Sequence, residues 1–567
     1  MKTRLLGTLL LCWLAQWSMA QAPKWVEKAK RSVFSIVTYD DSDKILKTGN
    51  GFFVSEDGVA LSDYSLFKGA KRAVAITGEG KQMPVEAIMG VDDMYDVAKF
   101  RVAIDGKKVQ ALPLAATAPA VGSKVLLLPY STQKDRSFTP GELKAADKAG
   151  EKYYYYTLGM HLRDKMVSCP VLTEQGQVFG LAQLSSGKDT ATVCYAVDVR
   201  YAMDRNISAL SFTDNALRAI GIKKALPDTE DQALVFLFMV SSQVTPEQYA
   251  GLIDDFIAQF PGSSEGYLRR ATHNLGLAKD EAALKGVEDD MEQALKIADK
   301  KDDVYYNRAK LVYNYALDHP DNTLKDWTFD RALQEIKEAI ALDPLPIYVQ
   351  LEGDIQYARA DFAAALACYE QVNRSPMASV TTFLSAAKSK QQLQAPAEEV
   401  LALMDSCVAR YSKPYTVEAA PYLLERAQMR MSYGQAREAI FDYDAYYEAV
   451  GGKVNDVFYY LREQAALQGK QYQRALDDMA KAIELNPQDL TYRAELSVIN
   501  IRVGRNEEAI RVLEEALKID PNYAEAYRLM GLAYLQLKKK DEACRCLAKA
   551  KELGDPNVDE LIKKHCE

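Results

Sequence analysis

Ala475, Ala509 and Ala543 lie 34 residues apart near the C-terminal end of the chain. Each is followed four residues later by Met479, Leu513 or Leu547, and seven residues later by Ala482, Ala516 or Ala550. Pro487 and Pro521 close the first two copies, and Asp555-Pro556 closes the third. A fixed period of this length dictates stacked copies of one unit, because no single copy can bury its own apolar face. The small residues recur where two helices of a copy cross at close range. Proline ends the second helix, since it lacks an N–H and disfavours helix in the residue before it.

Ahead of its alanine the last copy also carries Tyr527, Met530, Gly531 and Tyr534. With these residues the pattern resembles the tetratricopeptide (TPR) repeat. The resemblance implies an all-α solenoid that binds protein. Less regular copies precede it, marked by Ala439, Tyr443 and Tyr446; by Gly353, Ala365 and Tyr369; by Ala332, Ile336 and Ala339; and by Tyr267 and Ala271. A poorly matched copy falls within 379–411, so the solenoid is expected over 229–567 with about seven or eight repeats. Val558 to His565 is expected to cap the last apolar face. First helices line the concave face of such a solenoid. Their exposed positions include Tyr460, Gln464, Gln468, Thr491, Val498, Arg502, Glu525, Arg528 and Gln536. Of these, Tyr460, Gln464, Arg502, Arg528 and Gln536 are the candidate protein-binding residues, although each on its own also fits a solvated helix face. A clamp for a C-terminal carboxylate is disfavoured, because Tyr460, Ala494, Arg528, Gln464, Val498 and Leu532 do not supply its Lys and Asn pattern.

The chain has 567 residues and a net charge of −9, so no basic footprint argues for nucleic acid. Residues 1–20 read as a secretory signal. Lys2 and Arg4 precede an apolar run, Leu5 to Leu14, too short to span a bilayer, and Ser18-Met19-Ala20 supplies the small residues for cleavage. Cleavage before Gln21 would take the charge to about −11; an uncleaved anchor is the alternative. The expected address is periplasmic or extracellular, with no membrane span in the mature chain. Seven cysteines would remain, an odd number that rules out complete pairing. No spacing suits zinc, and neither metal nor cofactor is expected. Cys169 and Cys194 are the one pair worth testing for a bridge.

From Pro23 to about Arg205 the periodicity changes. A short helix, Lys24 to Arg31, precedes strand-like runs at 32–38, 51–54, 59–61, 73–76, 97–102, 124–128, 153–157, 177–184 and 192–197. Many short strands separated by Gly- and Asp-rich turns suggest a barrel or sandwich. A polar, small and charged stretch at 206–228 reads as a linker to the solenoid.

Gly49–Val54 with Gly58–Ser62, then Asp92–Ala98, then Ser168–Leu172 with Gly176–Gly180, and finally Tyr195–Val197 follow one another in this order. Together they resemble the two-barrel, trypsin-like domain of bacterial Deg-type proteases over 23–205. The resemblance implies a serine nucleophile activated by a histidine, itself oriented by an aspartate, with backbone N–H groups beside a glycine for the oxyanion. Carried over by position, the aspartate is Asp96. The histidine falls on Ser65, the nucleophile on Val167 and the glycine on Lys165. His161 is the only histidine in this domain, six residues before Val167 and on the wrong side for a base. A slip of one residue would offer Ser168, still without a positioned histidine. Asp96 then reads as a turn or strand-end carboxylate.

The expectation is a multidomain chain: an all-β two-barrel trypsin-like domain without its catalytic set, followed by an all-α solenoid. Such a chain is an exported adaptor that binds a protein or peptide. The alternatives are an active serine endopeptidase whose repeats recruit substrate, and a purely structural member of an envelope assembly.

Overall fold

The structure is a computed structural model that describes residues 23–132, 138–183, 193–278, 281–321 and 326–567. The expected signal segment lies outside the described residues, as do Leu184 and Thr192 at the ends of two expected strands. The chain divides into two compact units between Ala298 and Asp299.

The first unit opens with helix α1 (Trp25–Ala29) and two closed six-stranded barrels. Strands β1 (Val33–Tyr39), β2 (Ile45–Phe53), β3 (Val59–Ser62), β4 (Arg72–Thr77), β5 (Gln82–Asp92) and β6 (Val97–Val102) close in the order β1-β2-β3-β6-β5-β4. Helix α2 (Tyr64–Phe67) follows β3. The second barrel repeats the same order with β7 (Lys124–Leu127), β8 (Thr139–Ala149), β9 (Tyr153–Gly159), β10 (Pro170–Thr173), β11 (Val178–Gln183) and β12 (Cys194–Asp198). β5 and β8 are strands that the sequence reading passed over.

The pleat explains why strands of the first barrel are apolar on both faces. Phe34, Phe53, Ala60 and Phe100 point into the first barrel. Their neighbours Val33, Phe52 and Leu61, with Val97 of β6, pack instead with Leu127, Tyr156 and Val171 of the second barrel. One run of sequence therefore fills one barrel and seals the other against it.

The stretch expected to be a linker is part of the body. After helix α3 (Val199–Met203) the chain returns along the first barrel, where Ile207, Leu217, Ile220, Ile222 and Leu226 are buried. Backbone bonds hold it there: Ile207 N–H to Met89 O at 3.0 Å, Ile88 N–H to Lys223 O at 2.8 Å and Gly221 N–H to Ala70 O at 2.6 Å. Helix α4 (Asn215–Arg218) lies in this stretch, and helices α5 (Glu230–Val240) and α6 (Pro246–Gln259) add Phe236, Leu237, Val240 and Phe256 to the same core. The paired helices α7 (Ser264–Leu275) and α8 (Glu281–Ile297) complete the unit.

The second unit consists of paired helices: α9 (Lys301–Asp318) with α10 (Phe329–Leu342), α11 (Pro346–Ala358) with α12 (Phe362–Asn373), α13 (Val380–Gln392) with α14 (Ala397–Val408), and α15 (Ala420–Ser432) with α16 (Ala436–Ala449). Then come α17 (Asp456–Gln468) with α18 (Tyr472–Leu485), α19 (Leu490–Arg502) with α20 (Asn506–Ile519), and α21 (Ala524–Gln536) with α22 (Lys540–Glu552), closed by α23 (Asp559–His565). Ala475, Ala509 and Ala543 are fully buried at the crossings, as the period requires. Twelve residues before Ala543, Gly531 lies so close to the facing helix that a Cβ there would meet Leu547 Cδ2 at 2.7 Å. The equivalent position before Ala475 is Glu463, wholly buried, with one carboxyl oxygen left without a partner.

Cysteine pairing departs from expectation. Cys169 and Cys194 are buried free thiols, while Cys544 of α22 is bridged to Cys566, just beyond α23. The disulfide fastens the capping helix to the last repeat, where Val558, Leu561 and Ile562 already pack on Leu547 and Ala550.

Candidate functional site

The loop after β5 is built to hold a carboxylate. Asp92 accepts the Tyr95 N–H at 2.8 Å and also binds the Tyr201 hydroxyl. Gln183 donates to the Tyr95 carbonyl at 2.5 Å and accepts from the Tyr155 hydroxyl at 3.0 Å. So anchored, Asp96 adopts a positive φ of 49° and accepts the backbone N–H of Ser65 at 2.6 Å, at the start of α2. Positions 65 and 96 are therefore side by side.

Position 167 is tied to the first barrel by Asn50. Its amide donates to Val167 O at 2.8 Å and to Lys165 O at 3.0 Å, while its own carbonyl accepts from Ser62 Oγ at 2.5 Å. Val167 is partly buried against the barrel interface, and Lys165 is exposed. Next to it Ser168 takes a positive φ of 64°, which turns its side chain inward; it is 1 % exposed. There its hydroxyl donates to Asp63, two residues before Ser65. Ser65, Asp96 and Val167 therefore gather around one place between the barrels.

Asp63 is the residue that sequence reasoning missed, and Ser168, weighed there only as a nucleophile one residue out of register, is its partner. Burial drives the Asp63 carboxyl up to about 8; the Ser168 hydrogen bond works against this and the charge of Asp96 adds to it. One of its oxygens has no partner. A protonated carboxyl at neutral pH is no base. The Cys169 thiol beside it is pushed up to about 12 by complete burial, so it is no nucleophile either. The Ser65 hydroxyl cannot replace an imidazole, and Val167 has no atom to attack a carbonyl. His161 is exposed between β9 and the 3-10 turn at 164–166.

The solenoid candidates fare unequally. Tyr460 is partly buried and packs its ring against Tyr492, centroids 5.7 Å apart. Gln464 donates to Glu463 at 2.7 Å. Arg502 and Gln536 are exposed at the ends of α19 and α21. Arg528 is committed elsewhere: its Nε meets Asp555 at 2.9 Å and its Nη2 meets Glu525 at 2.6 Å, with the Asp555 side chain 4 % exposed. Among the described residues no acidic, cysteine and histidine cluster could hold a metal, and no helix is long and apolar enough to cross a membrane.

Comparison with known proteins agrees with both halves. A model of the trypsin-like peptidase domain matches residues 49–181, and models of the TPR and tetratricopeptide repeats match 502–538 and 524–553. The small glutamine-rich tetratricopeptide repeat-containing protein 2 of Mycosarcoma maydis is 33% identical over 99 residues, 18% of this chain and 28% of that protein. Its namesake in Saccharomyces cerevisiae is 26% identical over 102 residues, 18% of this chain and 30% of that one. The chain thus spans less than a third of the length of these relatives. Among solved structures, the active form of the Rv3671c protease from M. tuberculosis matches at 20% identity, covering 32% of this chain and 82% of that one, with a TM-score of 0.28. With its paired six-stranded barrels and its stacked helix pairs, this chain carries a trypsin-like peptidase domain followed by tetratricopeptide repeats.

Proposed function

We propose that the protein is an exported adaptor that binds protein or peptide partners through its repeats, and that its trypsin-like domain does not cleave peptides. One observation carries the reading. Asp96 keeps its place against the N–H of residue 65 at 2.6 Å, yet the side chain it would orient is that of Ser65. Val167 and the inward-turned Ser168 support it further, since a hydroxyl 1 % exposed and bonded to a buried acid offers no attack on a substrate carbonyl. The Cys544–Cys566 bridge supports export, because disulfides persist in oxidising compartments. In this reading the repeats present a preformed surface, and its rigidity limits the entropy lost on binding.

The test uses the mature chain with a fluorophosphonate probe and casein, alongside affinity capture from the native envelope. No labelled serine within 23–205, no cleavage and one reproducible partner are expected. Labelling of Ser168 or Ser65 would overturn the reading in favour of an endopeptidase whose repeats recruit substrate.

A further inference from the structure

A cavity of about 510 Å³ opens between the returning chain of 207–224 and helices α5 and α6. That volume falls within the range of small-molecule sites. Its walls are apolar: Ile207, Phe212, Ile222, Phe236, Val240 and Leu252. The charged groups around it are unequal. Lys223 is paired with Asp255 at 2.7 Å, and the Glu247 carboxylate is taken up by its own backbone N–H and by Thr245. Lys224 is half-buried and has no ion-pair partner among the described residues. Among the described residues its ammonium donates to the Ile220 carbonyl alone, and the charge that weighs on it is another cation, Lys71. Arg218 adds a third cation at the rim, exposed and in no ion pair among the described residues.

We propose that this cavity binds a medium-chain aliphatic carboxylate, with its alkyl chain along the apolar wall and its head group on Lys224 and Arg218. The apolar wall calls for a ligand body that gains by leaving water. The ammonium calls for an anion, because a half-buried cation without a counter-charge is costly. Burial and Lys71 hold the Lys224 pKa down to about 8, as expected of an ammonium whose partner is missing. A neutral or cationic amphiphile of the same length would fill the wall and leave that charge unanswered.

Calorimetric titration of the full mature chain with decanoate, decanol and decylamine tests this. Decanoate is expected to bind saturably, decanol more weakly and decylamine least. Lys224→Met and Arg218→Ala should each weaken decanoate by about tenfold or more, as loss of a hydrogen bond to a charged group does. Val240→Trp should block all three. Because Arg218 is exposed, its variant keeps the test alive if Lys224→Met fails to fold. Absence of decanoate binding overturns the proposal. So does equal binding of the three amphiphiles, or decanoate affinity untouched by both cation variants. Concentration-dependent dimerisation abolished by Val240→Trp would also overturn it, since the cavity would then seat a second copy of the chain.

Discussion

Arg462 grips Asp478 with two nitrogens, Nε at 3.0 Å and Nη2 at 2.6 Å, while its Nη1 reaches Asp444 on the preceding helix at 3.1 Å. The arrangement recurs. Arg426 binds Asp442 of its own helix pair and Asp405 of the pair before, and Arg270 does the same with Asp290 and Asp254. Each arginine thus joins the two helices of one pair and ties that pair to the helix ahead of it. Only a planar fork with several donors can do so, and lysine could not.

Removing one arm of this clip should be costly. Asp442 and Asp478 are nearly inaccessible, and burial raises both carboxyls despite their arginines. Arg462→Met should therefore destabilise the repeats by about 3–5 kcal/mol, whereas Arg462→Met with Asp478→Leu should recover most of the loss. Urea unfolding followed by far-UV circular dichroism reads both variants. A cost below about 1 kcal/mol for the single variant would refute the clip.

Arg528 should behave as a packing residue. Arg528→Ala leaves Asp555 with little access to water and should lower the melting temperature, while Arg502→Ala and Gln536→Ala should leave it unchanged. Melting curves of the three variants separate packing from recognition before any partner is in hand.

Asp63 makes stability depend on pH in a definite direction. Its carboxyl keeps its proton in the folded chain up to about pH 8, against an ordinary value of 3.8. Between about pH 4 and 8 the folded state binds the extra proton, so this group's contribution to stability falls as pH rises. Asp63→Asn should be stabilising relative to the parent chain, increasingly so from pH 5 to pH 8. A melting-point difference that stays constant or shrinks over that range would contradict the assignment.

The disulfide should matter for the end of the solenoid. Cys544 and Cys566 are 22 residues apart, a loop whose closure is worth about 3 kcal/mol in the chain-entropy model. Cys566→Ser should expose amides of α22 and α23 to hydrogen exchange and leave the barrels untouched. Equal exchange with and without the bridge would mean that packing alone holds the cap.

Overpacking tests the repeat register. Ala509→Trp inserts a large ring where no side-chain surface is exposed and should cost about 1–3 kcal/mol or more. An unchanged urea midpoint would mean that Ala509 is not at a helix crossing.

The repeats were legible because a 34-residue period imposes its small residues whatever the surrounding sequence. The barrels were legible strand by strand, with two exceptions. Gln82 to Ala87 alternates exposed and buried, but Pro84 and two register shifts along β5 disguise the strand. β8 shows no alternation of apolar and polar residues, since Leu143 is its one fully buried residue. In 206–228 the buried Ile207, Leu217, Ile220, Ile222 and Leu226 are spread among polar residues without a period, and only the surface beneath them makes sense of their spacing. At the site, the adjacency of Ser65 and Asp96 followed from the order of motifs. The meeting of Asp63 with Ser168 depends on an unusual backbone angle at Ser168 and on the closing of two barrels, which no local pattern encodes. The Cys544–Cys566 pair likewise exists only once the last helix has folded back.

The return of 207–256 over the first barrel also sets an order of completion. Threaded out of a ribosome or a translocon from its N-terminal end, the chain presents β1 to β6 first, yet the residues that cover them emerge only after β12. The second barrel has all its strands at hand as soon as β12 appears, while the first must hold Phe67, Ile88 and Phe100 in readiness. The barrel made first is thus finished after the barrel made second, and a nascent chain halted near Arg205 would leave the first barrel's apolar surface open to chaperones and proteases.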